Sequence, residues 1–210
     1  MKDYVWYLSY GSNLSKKRFL TYILGGKPEG SSKYEPGSKD KTLPLKEKNT
    51  IINYELYFSE HSQKWDNLGV GFIGTEKNPE FKTYAKMYLI TKEQFEDIVK
   101  QENSINKEIN INYPEENQIS LISEGWYSAI LCTGIYDNHY IYTFTSPEKP
   151  QYYVKPSEKY LKTIATGIIE NIGTNAENLT DYFINLKGIE NNINYETIYN
   201  LIKSIRKNNI

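Results

Sequence analysis

Tyr7-Leu8-Ser9-Tyr10-Gly11-Ser12-Asn13-Leu14 is the stretch on which the chain turns. Its first residues close an aromatic and aliphatic run, Tyr4-Val5-Trp6-Tyr7-Leu8, which reads as a buried first strand. Gly11-Ser12-Asn13 stops that run. Glycine accepts backbone angles that other residues avoid, and Ser and Asn bond to nearby main chain. Ser15-Lys16-Lys17-Arg18-Phe19-Leu20 then reads as a short helix. A buried strand that ends in a tight turn and opens into a helix gathers several N–H groups on one side. The helix start adds partial positive charge. Such a turn suits a small carboxylate or an oxyanion, although an ordinary strand-to-helix connection has the same look.

Outward from the turn, residues 25–50 are rich in Gly, Pro, Ser, Lys and Glu and read as a long surface loop, either a pocket edge or a tolerated insertion. Strand patterning returns at Ile51–Phe58 and again at Gly69-Val70-Gly71-Phe72-Ile73-Gly74. The second segment matches Gly-x-Gly-x-x-Gly, but a dinucleotide fingerprint must open a helix. Here Thr75-Glu76-Lys77-Asn78-Pro79 follows, which is a turn. The glycines therefore belong to a strand that something approaches closely. Tyr84–Ile90 is a further strand. Thr91 and Gln94 form a capping box for a helix from Lys92 to about Gln101, with Phe95, Ile98 and Val99 on one face. Glu102 closes the helix and Asn103 stops it. Residues 103–122 are polar, mostly loop with a short strand. Gly125–Cys132 and Tyr140–Thr145 are strands joined by an Asp137-Asn138 hairpin turn. Helices follow at Pro156–Ile172, about Ala176–Lys187 with Gly188 as its end, and about Tyr195–Lys207. About six strands, an early helix and three late ones make the chain α+β.

Composition narrows the function. A chain of 210 residues with 24% charged and 39% hydrophobic residues can bury a full core. The formal net charge of -1 offers no general attraction for nucleic acid or an anionic membrane. The single Cys132 excludes an internal disulfide framework, and neither a signal peptide nor a membrane-length apolar run is visible, so a cytoplasmic protein is expected. The two histidines, His61 and His139, lack metal spacing, and no phosphate-binding Gly-Lys-Ser/Thr motif occurs, so neither metal nor cofactor is expected. Cys132 sits in an apolar strand and reads as core.

Glu102 is the sharpest candidate for chemistry. A carboxylate at a helix C-terminus is unfavourable, and this cost hints at a purpose, though a solvated surface charge is the plainer account. Tyr-Gly-Ser-Asn-Leu after an N-terminal strand resembles the opening signature of the gamma-glutamylcyclotransferase superfamily. In that family a later helix ends in Gln-Glu, as Gln101-Glu102 does here, and the Glu is the general acid/base. The family commonly has Gly at the next position, where this chain has Asn103, and both tolerate left-handed angles. Two further stretches are similar: Ser62-Gln63-Lys64-Trp65 ahead of Gly69-Val70-Gly71, and Pro150-Gln151-Tyr152 ahead of Pro156-Ser157-x-x-Tyr160-Leu161.

The resemblance covers residues 4–172 and implies a small mixed β-barrel of about six to seven strands flanked by helices. Residues 1–172 would form the domain and 173–210 a C-terminal helical extension packed on it. It implies cyclisation of a gamma-glutamyl amide to 5-oxoproline, with release of a free amine. Glu102 would be catalytic, Tyr10, Gly11, Ser12, Asn13 and Leu14 would hold the glutamyl group, and Tyr127 and Tyr152 would be candidate donors. With twenty tyrosines in the chain, core packing is the plainer role for any one of them. The partner would be a small gamma-glutamyl compound or a carrier-bound gamma-glutamyl group. Two other functions fit the same residues: a carboxylate-binding module without chemistry, and a serine hydrolase using Ser12, though Gly-x-Ser-x-Gly is absent.

Overall fold

The computed structural model describes residues 2–28, 34–122 and 124–207. Strand β1 (Tyr4–Ser9) lies inside a six-stranded sheet with β2 (Lys46–Ile52), β5 (Thr83–Thr91), β6 (Ile119–Leu121), β7 (Ala129–Tyr136) and β8 (His139–Thr145). The order is β2-β5-β1-β8-β7-β6, with β1 antiparallel to β5 and parallel to β8. Strands β3 (Leu56–Ser62) and β4 (Leu68–Ile73) form a separate antiparallel pair.

The unbroken apolar run of β1 has a simple cause, because side chains alternate across a strand and both faces are covered. Val5 and Tyr7 face one core with Tyr88 and Ile90. Trp6 and Leu8 face another with Met87 and Leu89. Helices α1 (Lys16–Leu24) and α2 (Lys92–Asn103) close the first core with Phe19, Tyr22, Phe95, Ile98 and Val99. A third core joins the β3–β4 pair to α3 (Glu158–Ile172), α4 (Ala176–Ile184) and α5 (Tyr195–Lys207), packing Leu179, Phe183, Ile198 and Ile202 with Phe58, Tyr160 and Ile164.

Several expectations hold. Thr91 Oγ1 accepts from Gln94 N–H while Gln94 Oε1 accepts from Thr91 N–H, the capping box of α2. Asp137 and Asn138 take φ of 49° and 59°, the two left-handed residues of a tight hairpin.

Others are corrected. The sheet is not closed into a barrel. β8 already has β1 and β7 on its two edges, so β4 cannot add to it as a strand. Thr145 Oγ1 donates instead to Ile73 O at 2.6 Å and accepts from Ile73 N–H at 3.1 Å, which joins the two sheets by a side chain. Residues 25–50 are not all loop, since β2 begins at Lys46. The expected strand Ile51–Phe58 is the end of β2, a bend at Asn53-Tyr54 and the start of β3. Gly125–Ser128 lies outside β7, which begins at Ala129. α4 ends at Ile184 rather than Lys187. Asn103 is the last residue of α2, and the left-handed cap is Ser104, with φ 56°. The helix thus runs one residue further than its Asn stop signal suggests.

The segment 34–45 is a strap laid over α1 and α2. Ser38 N–H donates to Ile23 O at 3.0 Å, Gly37 N–H to Gln101 Oε1 at 3.2 Å and Lys39 N–H to Asp97 Oδ2 at 2.7 Å. Gln94 Nε2 reaches the strap carbonyls of Asp40 and Thr42 at 3.0 and 2.7 Å.

Candidate active site

The turn after β1 is a single 3-10 turn, Ser12–Leu14, with Leu14 N–H donating to Gly11 O at 3.0 Å. It is held from behind by α3. A Cβ on Gly167 would stand 2.6 Å from the Leu14 carbonyl carbon and the Ser15 nitrogen, so only glycine lets the helix approach this closely. Asn171 Nδ2 donates to Leu14 O at 3.0 Å, and the Tyr88 hydroxyl donates to Asn13 O at 3.0 Å.

In front of the turn opens a cleft of about 950 Å³. Its inner wall is Tyr10–Asn13, Gly71 and the end of α2 with Glu102. Its outer wall is residues 61–66 and the 125–127 loop. Asn13 joins turn and helix: its Nδ2 donates to Glu102 Oε1 at 3.2 Å and to the Tyr7 hydroxyl at 3.1 Å. Six expected site residues, Tyr10, Gly11, Ser12, Asn13, Glu102 and Tyr127, therefore line one cleft. Leu14 is placed behind it in the core, 1% exposed. Tyr152 lies outside the lining and is 50% exposed, its ring 6.2 Å from that of His61.

The roles available to these groups follow from their bonds. The Tyr10 hydroxyl donates to Phe144 O at 2.7 Å, and the Tyr127 hydroxyl to Gly71 O at 3.2 Å, so both rings are fixed walls. Ser12 Oγ accepts from Arg18 Nε at 2.9 Å, and the guanidinium stacks 4.8 Å from the Trp65 ring centroid. A hydroxyl so engaged with a cation is poorly set up as a nucleophile. Among the described residues no group of three or more His, Cys, Asp or Glu side chains converges to hold a metal.

Tyr160, named in the sequence only as part of the Pro156-Ser157-x-x-Tyr160-Leu161 stretch, lines the cleft. Its hydroxyl accepts from Gly71 N–H at 3.1 Å. That leaves its own O–H as a donor on the cleft wall. Burial pushes the phenol up to about 12, against the pull of the Gly71 N–H, so it stays protonated and a donor at neutral pH. A Cβ on Gly11 or Gly71 would meet this oxygen at 3.1 or 3.3 Å, which accounts for glycine at both positions. The clue in the sequence was the Pro156-Ser157-x-x-Tyr160 motif itself.

Asn103 builds the outer wall. Its Oδ1 accepts from Tyr127 N–H at 3.0 Å, and its Nδ2 donates to Tyr127 O at 3.2 Å and Val99 O at 3.1 Å. Gly125, with φ 99°, passes so close that a Cβ would overlap the Asn103 side chain.

No protein-family model matches the chain. Among curated proteins it is similar to "Histone deacetylase 5" of Arabidopsis thaliana, 30% identical over 190 residues, covering 79% of this chain. The chain spans 28% of that relative's length. Among solved structures, a gamma-glutamyl cyclotransferase superposes with a TM-score of 0.52 at 17% identity, covering 96% of this chain and 99% of the other. An uncharacterized protein from Homo sapiens superposes with the same TM-score at 16% identity and the same coverage. The chain therefore has the gamma-glutamylcyclotransferase-like fold. No described helix is long and apolar enough to cross a membrane.

Proposed function

We propose that the protein is a gamma-glutamylcyclotransferase-type enzyme that converts a small gamma-glutamyl amide into 5-oxoproline and a free amine. The observation that carries this is the 3.2 Å bond from Asn13 of the turn to Glu102, which puts a carboxylate-binding turn and a general acid/base candidate in one cleft.

The substrate brings its own nucleophile. Its α-amino nitrogen attacks the γ-carbonyl carbon, a five-membered lactam forms, and the bond to the departing amine breaks. The enzyme has to fold the substrate so that nitrogen meets carbonyl. Glu102 takes a proton from the attacking amine and returns it to the leaving nitrogen, so no proton is gained or lost overall. The Gly11–Asn13 turn holds the α-carboxylate. Tyr160, in the lining beside the turn, offers its O–H as a further donor to the substrate. The half-buried Glu102 is fixed by Asn13 Nδ2, which orients one carboxylate oxygen and leaves the other for proton transfer.

The leaving group would stand between residues 61–66 and the 125–127 loop. The cleft is far larger than a glutamyl group needs, so the amine side has room for an amino acid, a peptide or a carrier-bound group.

The test is 5-oxoproline release from a panel of gamma-glutamyl amino acids, amines and peptides, wild type beside Glu102→Gln. Turnover by the wild type that the substitution abolishes is the expected result. No release from any compound, with a carboxylate still binding in the cleft, would leave a binding module and overturn the enzyme assignment.

A further inference from the structure

We propose that Ser12 and Arg18 form the anion-recognising pole of the cleft: the Ser12 hydroxyl donates to the α-carboxylate of the substrate, and Arg18 is the positioning residue that aims it. This rests on the gamma-glutamyl reading of the cleft, and the test below separates failure of the one from failure of the other.

Arg18 stands in the first turn of α1 and is 7% exposed. Its Nε donates to Ser12 Oγ at 2.9 Å and its Nη2 to the Tyr22 hydroxyl at 3.4 Å. The guanidinium lies 4.8 Å from the Trp65 ring centroid. These three contacts are all with neutral groups. A buried cation is costly unless an anion answers it.

The second cation in this corner has its answer. Lys64 Nζ reaches the same Tyr22 hydroxyl at 3.3 Å and lies 2.6 Å from Glu35 Oε1, a carboxylate 1% exposed on the 34–45 strap. Glu35 is held there by a two-way main-chain bridge, Gly26 N–H to Glu35 O at 2.9 Å and Glu35 N–H to Gly26 O at 2.8 Å. The strap acid is therefore committed to Lys64. Glu102, the acid at the end of α2, accepts from Asn13 Nδ2.

The Ser12 hydroxyl carries the Arg18 charge to the cleft wall. Ser12 is in the lining, and its oxygen already accepts from Arg18. Its own proton is then left to give, and a cation behind a hydroxyl strengthens its bond to an anion in front. Asn13, the next residue, is bonded to Glu102. Two neighbours on one turn thus mark two poles, Ser12 backed by a cation and Asn13 beside a carboxylate. A gamma-glutamyl group carries the matching pair on one carbon, an α-carboxylate and an α-amine. The Ser12 pole fixes which way round that pair sits, and so which member meets Glu102. The ligand class is an amino-acid derivative with a free α-carboxylate, and a derivative amidated there is rejected.

The probes are 5-oxoproline and its carboxamide, which differ in the one charge at issue, titrated into the protein by calorimetry. The wild type is expected to bind the acid about 10–100-fold more tightly than the amide. In Ser12→Ala and in Arg18→Gln the ratio is expected to fall to about threefold or less. The double variant is expected to fall no further, because the two side chains act as one unit. Arg18→Lys keeps the charge without the planar fork and should give a ratio between wild type and Arg18→Gln. A merely structural role would weaken both ligands alike and leave the ratio unchanged. Ser12→Ala removes a single oxygen and carries the test by itself if Arg18→Gln does not fold. A wild type that binds neither probe or both equally, or a ratio that survives Ser12→Ala, would overturn the proposal. A ratio that behaves as expected in a protein releasing no 5-oxoproline from any gamma-glutamyl compound would instead sink the cyclotransferase assignment and leave the Ser12–Arg18 pole standing.

Discussion

The inner and outer walls of the cleft are built by different means. The inner wall rests on main chain. The Gly11–Asn13 turn is clamped by a helix that Gly167 lets within contact distance, and Asn13 O and Leu14 O are capped by Tyr88 and Asn171. The outer wall rests on side chains reaching between distant segments. Asn103 grips Tyr127 from 24 residues away, and residues 63–66 end in the left-handed Asp66, φ 62°. Trp126 on this wall is 44% exposed, whereas Asn13 on the inner wall is 3% exposed. A wall fixed by close main-chain packing keeps its shape whatever occupies it. A wall fixed by a few side chains can be remodelled at modest cost. On the proposed function, chemistry belongs to the first and choice of leaving amine to the second.

Substitutions that separate rate from selectivity test this contrast. The largest effect is expected from Glu102→Gln, a fall in kcat of about 10²–10⁴ without loss of thermal stability, read as 5-oxoproline release beside a melting curve. Tyr160→Phe removes one donor from the inner wall and should cost about 10–10² in kcat for every substrate alike. Parallel losses across the panel would sharpen the contrast, and a loss confined to some leaving groups would break it. Gly167→Ala forces a Cβ into the main chain of the turn and should lower unfolding free energy by about 1–3 kcal/mol in urea. Asn103→Gly removes the clamp on Tyr127 and should cost about 1–2 kcal/mol. Its kinetic signature should be a KM change that differs between leaving groups, with kcat held within about threefold. Trp126→Ala should shift preference among amines while stability stays within about 0.5 kcal/mol, because so exposed a ring contributes little to folding.

What could be read in advance follows the same division. β1, the turn, the capping box of α2 and Glu102 at its end are local signals, each set by residues within a few positions of one another. They were legible because short-range sterics and alternation decide them. Tyr160 was legible as part of a motif but not as a donor, because helical spacing places it among Leu161, Ile164 and Ile168 and carries no information on where a hydroxyl finds its partners. The strap has neither period, and only tertiary packing buries Glu35. The open edge between β4 and β8 was likewise hidden, since which edges of β8 are free depends on the whole strand order.

Glu102 and Asn103 are consecutive residues, so they leave the α2 axis about 100° apart on one rigid turn. Glu102 is bound to Asn13 of the turn, while Asn103 holds the main chain of Tyr127. One turn of helix is thus a shared mount for both walls of the cleft. On the proposed function, the carboxylate and the loop beside the leaving group take their spacing from the same two peptide units.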